Sequence, residues 1–262
     1  MINIKTKEEI EIMKEGGKIL AETLSEVLNY IKPGVSEIKL NQLAEKLILK
    51  KGAKPAFRMV KGYNHTLCIS TNDAVVHGVP SDYKFKEGDV IGVDCGVYYR
   101  GFNTDAAHTV RVQSSKFPAS PAGGKVQSDE VDRFLRIGEK ALEEAIKVAK
   151  AGNRVGHISK TIQDIIEGNG YSVVRSLVGH GVGKKLHEDP EVPGFLDTKI
   201  EETPSLKDGM TIAIEVIYNM GKSEVMYKGD DKWAIRTADG SISGLFEKTI
   251  AISAGNPVIL TA

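Results

Sequence analysis

The chain has 262 residues, 41% of them hydrophobic and 27% charged, and its 35 Lys and Arg balance 35 Asp and Glu, so its formal net charge is zero. That balance excludes attachment to nucleic acid or an anionic membrane by overall charge, and two cysteines, Cys68 and Cys95, are too few for a disulfide framework. The first twenty residues mix Lys and Glu with Ile and Met and hold no apolar run long enough for a signal peptide or a membrane span, which points to the cytoplasm.

Thr6 opens a capping box with Glu9, three residues on, and starts an amphipathic helix with Ile10, Met13 and Gly17 on one side. A second helical pattern runs from about Lys18 to Ile31 and stops at Pro33-Gly34. Ser36 caps a third through Leu40, Leu43, Leu47 and Ile48, ending at Gly52. Short strands are expected from Leu67 to Ser70 and from Ala74 to His77. Next comes a β-hairpin from Val93 to Asp105, reversed at Tyr98-Tyr99-Arg100-Gly101, which sets Asp94 and Asp105 roughly opposite each other on one face. Gln113 to Asp129 is rich in Ser, Pro, Gly and Lys and reads as a linker. Helices follow from Val131 to Ala149 and from Ile158 to Glu167, then strands from Tyr171 to Val174, Thr211 to Tyr218, Trp233 to Thr237 and Lys248 to Ile252.

The two halves repeat each other. Lys86 to Asp94 aligns without a gap on Lys207 to Glu215, Lys32-Pro33-Gly34 parallels Lys150-Ala151-Gly152, and Asp105 with Thr109-Val110 parallels Glu247 with Thr249-Ile250. Each half reads as two helices, strands and a hairpin carrying two acids. Two copies are too few for a solenoid. They predict one α+β domain over residues 1–262, with halves of about 1–112 and 130–262 and a pseudo-twofold antiparallel sheet backed by helices.

That symmetry brings Asp94, Asp105, Glu215 and Glu247 to one centre. Like charges held close repel unless a cation lies between them, and four carboxylates call for about two divalent ions. On its own, the pair Asp94 and Asp105 reads equally well as turn residues. The second pair, with His180 exposed between glycines in Gly179-His180-Gly181, tips the reading to metal. His77, before Gly78-Val79-Pro80, and His187, seven residues after His180, each fit a catalytic or a structural role. His65, His108 and His157 read as structural or exposed, and Cys95, beside Asp94, faces the core.

Val75-Val76-His77-Gly78-Val79-Pro80, the acids Asp94 and Asp105 eleven apart, Gly179-His180-Gly181-Val182-Gly183 with His187-Glu188-Asp189-Pro190, and the late Ile214-Glu215 and Phe246-Glu247-Lys248-Thr249 together resemble the methionine aminopeptidases, in the short bacterial form of type 1. The resemblance covers essentially the whole chain and implies the pita-bread fold. It implies removal of N-terminal methionine by hydroxide attack on the first peptide bond at a dinuclear site of Co, Mn, Fe or Zn. Asp94, Asp105, His180, Glu215 and Glu247 would hold the metals, with Asp105 and Glu247 bridging. Glu215 would also shuttle the proton, His77 contact the substrate backbone, and His187 polarise the scissile carbonyl. Tyr63, Cys68, Trp233 and Phe57 would line the methionine pocket, where aromatic rings and a thiol suit a thioether.

Implied partners are peptides with N-terminal Met and nascent chains, with transient ribosome contact, no stable nucleic-acid or membrane binding, and a monomeric state. Three positions depart from the family pattern: Val216 replaces a common Pro, Lys248 a common His, and Leu186 an aromatic residue. Two other readings remain, a proline-specific aminopeptidase or dipeptidase on the same fold and a metal-free pita-bread binding protein.

Overall fold

The computed structural model describes residues 2–113, 125–227, 229 and 232–262. In chain order the elements begin with α1 (Lys7–Tyr30), α2 (Glu37–Lys50), β1 (Lys54–Pro55), a 3-10 turn at Phe57–Met59, β2 (Leu67–Thr71) and β3 (Ala74–Val76). The long hairpin is β4 (Val90–Tyr99) and β5 (Phe102–Arg111), followed by α3 (Lys125–Val148) and α4 (Val155–Gly168). The chain continues through β6 (Ser172–Val173), β7 (Val178–Gly181), β8 (Glu188–Pro193), a 3-10 turn at Ile200–Glu202, β9 (Thr211–Asn219), β10 (Val225–Tyr227), β11 (Ile235–Thr237), β12 (Ser243–Ala251) and β13 (Val258–Ile259).

Thr6 and Glu9 form the expected capping box. The two helices expected before residue 31 are one continuous helix of 24 residues. Gly16-Gly17 does not break it. A Cβ at Gly17 would lie 2.1 Å from the Leu260 carbonyl oxygen, so the glycine is there for a close approach. Ser36 precedes α2 but makes no side-chain cap. The first helical N–H groups instead donate to the carbonyls of Tyr83 and Ser81. Residues 114–124 of the expected linker lie outside the described residues, and α3 begins at Lys125, ahead of the expected Val131.

One antiparallel ladder joins β5 to β4, with β2 and β1 on the far edge of β4; a second runs β13-β12-β9-β7-β8, with β6 also on β9; a third is β10-β11-β3. Strand alternation gives the main sheet two faces. On one, Val93, Cys95 and Val97 pack against Leu20, Leu24, Leu40 and Ile48 of α1 and α2. Ile212, Ile214, Val216 and Tyr218 likewise meet Phe134, Leu142, Ile158 and Ile162 of α3 and α4. Burial of each such side chain contributes about 1.5–3 kcal/mol. The Tyr218 ring stacks on Phe134 at 4.2 Å, and Gly138 leaves room for its hydroxyl.

The two ladders meet where β5 faces β12, and two threonines join them reciprocally. The Thr109 hydroxyl donates to the Leu245 carbonyl at 2.7 Å and accepts from its N–H at 2.9 Å. The Thr249 hydroxyl donates to the Asp105 carbonyl at 2.7 Å and accepts from its N–H at 2.9 Å. This pseudo-twofold pairing makes Asp105 the counterpart of Leu245 and sets Ala107, not Asp105, opposite Glu247.

The same shift appears within the hairpin. Its turn residues Arg100 and Gly101 both take positive φ, 47° and 97°, the two-residue reversal that suits twisted strands. Centred there, it pairs Asp94 with Ala107 and Asp105 with Gly96. The two acids are therefore diagonal neighbours on one face rather than directly opposed. In the second half Glu215 does sit directly opposite Glu247, but the excursion through β10 and β11 separates their strands, so no hairpin joins them. Trp233 precedes its expected strand, which begins at Ile235.

The seam generates a test. Thr109→Val keeps the shape but strands a buried N–H and a buried carbonyl at Leu245, so urea unfolding should report a loss of about 1–3 kcal/mol; an unchanged midpoint would mean that the hydroxyl does not join the ladders.

Candidate active site

Register alone assembles the site. Cys68 pairs with Asp94 and Asp94 with Ala107, the threonine seam carries the row to Glu247, and Glu247 pairs with Glu215. Asp105 lies two residues from Ala107 on the same face. His180 pairs with Ala213, two residues from Glu215, which brings its Nε2 to 3.6 Å from Glu215 Oε1. Five strands thus present four carboxylates and an imidazole to one cavity of about 130 Å³ on the face opposite the helices. A larger hollow of about 760 Å³ beside α1 holds His108 and Lys248 but no comparable convergence of acids.

Water reaches little of this centre: Asp105 is 4% exposed, Glu247 2% and His180 8%. Ligand atoms of Asp105, His180 and Glu247 lie within 4.8 Å of one another. Asp94 Oδ1 and Glu247 Oε1 are buried with no hydrogen-bond partner, which a native interior rarely tolerates. Burial raises Asp94 to about 7 and, with the Asp94 charge, Glu215 to about 8. Burial and then the neighbouring acids push Asp105 and Glu247 well above the ordinary carboxylate range. His180 goes the other way, to about 4, because burial and then the nearby His187 oppose its charged form. Its Nδ1 lies 2.8 Å from the Gly181 carbonyl; donation there leaves Nε2 as a free lone pair turned toward the acids. Orphaned oxygens, raised carboxylates and a neutral imidazole fit bound divalent cations.

The remaining residues expected from the sequence line the same cavity. Phe57, Tyr63 and Cys68 form one apolar cluster, with Val60, Leu186 and Trp233 packed against it. Tyr63 meets Trp233 edge-on at 5.1 Å, and its hydroxyl donates to the Leu67 carbonyl at 2.8 Å. Gly96 admits Phe57, since a Cβ there would lie 2.8 Å from its ring. His77 takes a positive φ of 55° just after β3, and Gly78 follows with room for no side chain beside the Ile69 carbonyl. His77 and His187 stand at the solvent-facing mouth, and burial of their inner faces lowers both below the ordinary imidazole value. The His187 ring lies edge-on to His180 at 4.4 Å.

Sequence reasoning did not single out Val60, which lines the cavity beyond the Phe57–Met59 turn. An isolated Val carries no pattern of its own. His65, expected to be structural or exposed, supports Tyr63 with its ring at 5.6 Å and does not line the cavity. His108, against Phe246 on the opposite face, and His157, which accepts from the Arg154 N–H at the start of α4, stay outside the site.

Residues 11–253 match the model of metallopeptidase family M24. The chain belongs to that family. Among M24 relatives it is 42% identical to the methionine aminopeptidase of Clostridium perfringens, over 100% of this chain and 99% of that protein. It is 40% identical to methionine aminopeptidase 1 of Bacillus subtilis, over the same shares of the two chains. The crystal structure of the Thermotoga maritima methionine aminopeptidase superposes with a TM-score of 0.91 at 40% identity, covering 100% of this chain and 99% of that one. The Pyrococcus furiosus prolidase superposes with 0.75 at 26% identity, covering 99% of this chain and 65% of that one. The pita-bread fold, with its antiparallel sheet backed by helices, is common to this M24 set.

Charge balance in the M24 centre has a measurable sign. In metal-free protein the raised carboxylates keep protons that the unfolded chain has already lost, so stability falls as pH climbs from the ordinary carboxylate range to about 8. A bound cation replaces those protons. Mn²⁺ should therefore raise Tm more at about pH 8 than at about pH 5.5, and equal shifts would refute that role.

Proposed function

We propose that this chain removes the N-terminal methionine from newly made polypeptides, using divalent metal held by Asp94, Asp105, His180, Glu215 and Glu247. The observation that carries the reading is a single cavity with convergent acids at one end and an apolar, sulfur-containing lining at the other. Only a chain end fits such a cavity: one side chain fills the apolar end, and the polypeptide leaves through the mouth between His77 and His187.

When bound, two divalent cations supply a water of lowered pKa and a Lewis acid for the first carbonyl. Glu215, at the rim of the acid row, takes the proton of the attacking water and passes it to the leaving amine. Neutral His187 donates a hydrogen bond to the carbonyl oxygen as its charge develops. His77 holds the substrate backbone. Tyr63, Trp233, Phe57 and Cys68 receive the methionine side chain, since a thioether packs well on aromatic edges and a thiol. A donor set of four carboxylates and one imidazole is oxygen-rich, favouring Mn²⁺, Fe²⁺ or Co²⁺ over thiolate-type zinc. No helix among the described residues is long and apolar enough to cross a membrane. A cytoplasmic monomer that meets nascent chains at the ribosome is the setting that fits.

Proline-specific peptidases share the fold, but this chain is nearer the methionine aminopeptidases in both sequence and superposition. Release of methionine from Met-Ala-Ser, with little cleavage of Ala-Pro, is expected after reconstitution with Mn²⁺, Fe²⁺ or Co²⁺. Asp105→Asn should abolish it, and His187→Ala should lower kcat by about 10²–10³. The activity reading falls if none of the metals supports methionine release.

A further inference from the structure

Lys5 and Glu188 form the most deeply buried ion pair among the described residues, with Nζ 2.7 Å from Oε2 and both side chains 4% exposed. Neither touches the acid row. Taking two charges out of water is costly, so the partners that the pair organises are informative. Glu188 follows His187 directly. Its Oε2 also accepts from Asn3 Nδ2 at 3.1 Å, and its Oε1 accepts from the Lys185 N–H at 3.0 Å. Lys5 is itself anchored, its N–H donating to the Gly209 carbonyl at 2.8 Å while Ile4 bridges to Met210 at the base of β9.

The other end of the same segment is held from β5. Asn103, two residues before Asp105, donates through its backbone N–H to the Gly183 carbonyl at 2.7 Å. Its side-chain Nδ2 reaches the Gly183 and Lys184 carbonyls at 3.0 and 3.2 Å. Gly183 lies flat against Lys5, where a Cβ would come within 2.5 Å of the lysine Cε. Between these two anchors the His187 ring has no hydrogen-bond partner among the described residues, and its ring neighbour is His180. Its aim is therefore set by the backbone that carries it.

We propose that Lys5, acting through Glu188, is a positioning residue for His187: the buried pair fixes the backbone from which the imidazole reaches the substrate carbonyl. This rests on the role given to His187 above. Lys5→Met keeps the length of the side chain but leaves the Glu188 carboxylate buried without its counter-charge. The carboxylate then turns toward water and releases the Lys185 N–H, and the backbone around His187 loosens.

The test is steady-state kinetics of the metal-loaded protein on Met-Ala-Ser for Lys5→Met, Lys5→Arg, Glu188→Gln, His187→Ala and the Lys5→Met/His187→Ala double variant. Lys5→Met should lower kcat by about 10–100-fold with KM within about twofold, as misplacement of a reacting group does. Lys5→Arg should recover most of the loss. In the His187→Ala background, Lys5→Met should cost nothing further, because the residue through which it acts is gone. Parental kcat in Lys5→Met, or the same fold-loss with and without His187, overturns the positioning role. If circular dichroism shows that Lys5→Met does not fold, Glu188→Gln with and without His187→Ala takes its place: a loss only where His187 is present supports the role, and parental kcat or an equal loss in both backgrounds overturns it. Parental kcat in His187→Ala overturns the His187 assignment and the positioning role together, whereas parental kcat in Lys5→Met alone overturns only the latter.

Discussion

Mutual repulsion among Asp94, Asp105, Glu215 and Glu247 is the constraint on which the rest of the structure depends. Asp105 and Glu247 are buried and Asp94 and Glu215 half-buried, and burial together with the neighbouring acids raises the cost of ionising Asp105 and Glu247. Moving such acids out of water is favourable only when a compensating positive charge comes with them, and the neutral His180 cannot supply it. A flexible scaffold would relieve the strain by turning carboxylates outward. Here each acid stands on a strand held on both sides, so the charge stays concentrated and a divalent cation is its natural complement.

The β5–β12 seam makes that concentration possible. Backbone pairing across it would have closed the two ladders into one regular sheet. Thr109 and Thr249 instead place hydroxyls where backbone groups would pair, each satisfying a donor and an acceptor of the opposite strand. The spacing of this seam puts Glu247 opposite Ala107, whose small side chain leaves open the space between Asp94 and Glu247. Exact symmetry would have set a carboxylate there. The two-residue displacement of Asp105 from that position spreads the acids along the cavity instead of stacking them in one line.

What could be read from the sequence follows from how local the signals are. Helices α2 to α4, the hairpin and the repeat were legible, and α1 only as two separate pieces, because apolar periodicity, capping residues and a gapless nine-residue alignment are properties of short stretches. The acids were legible because the repeat doubled them. The diagonal placement of Asp94 and Asp105 was not, because register hangs on which two residues take positive φ, and Arg100 is not a residue that announces it. Nor was the equivalence of Glu247 with Ala107, which depends on hydroxyl bonds between residues 136 and 144 apart. Lys5 and Glu188 lie 183 residues apart, and no local pattern links them.

Strand alternation also places two of the three residues that the sequence resemblance marked as departures, Val216 and Lys248, away from the acids. Val216 follows Glu215 in β9 and therefore points to the helices, where it is fully buried among the residues of α3 and α4. Lys248 follows Glu247 in β12 and likewise faces away from the acids, donating to the Thr261 carbonyl and lining the hollow beside α1. Neither side chain reaches the cavity, so each acts on the position of its neighbouring acid only through the strand that both share. Leu186 is different: it lines the cavity itself, beside His187 and against the apolar cluster. Of these three side chains only Leu186 meets the cavity, at its apolar end, while the acid row keeps the geometry that the seam imposes.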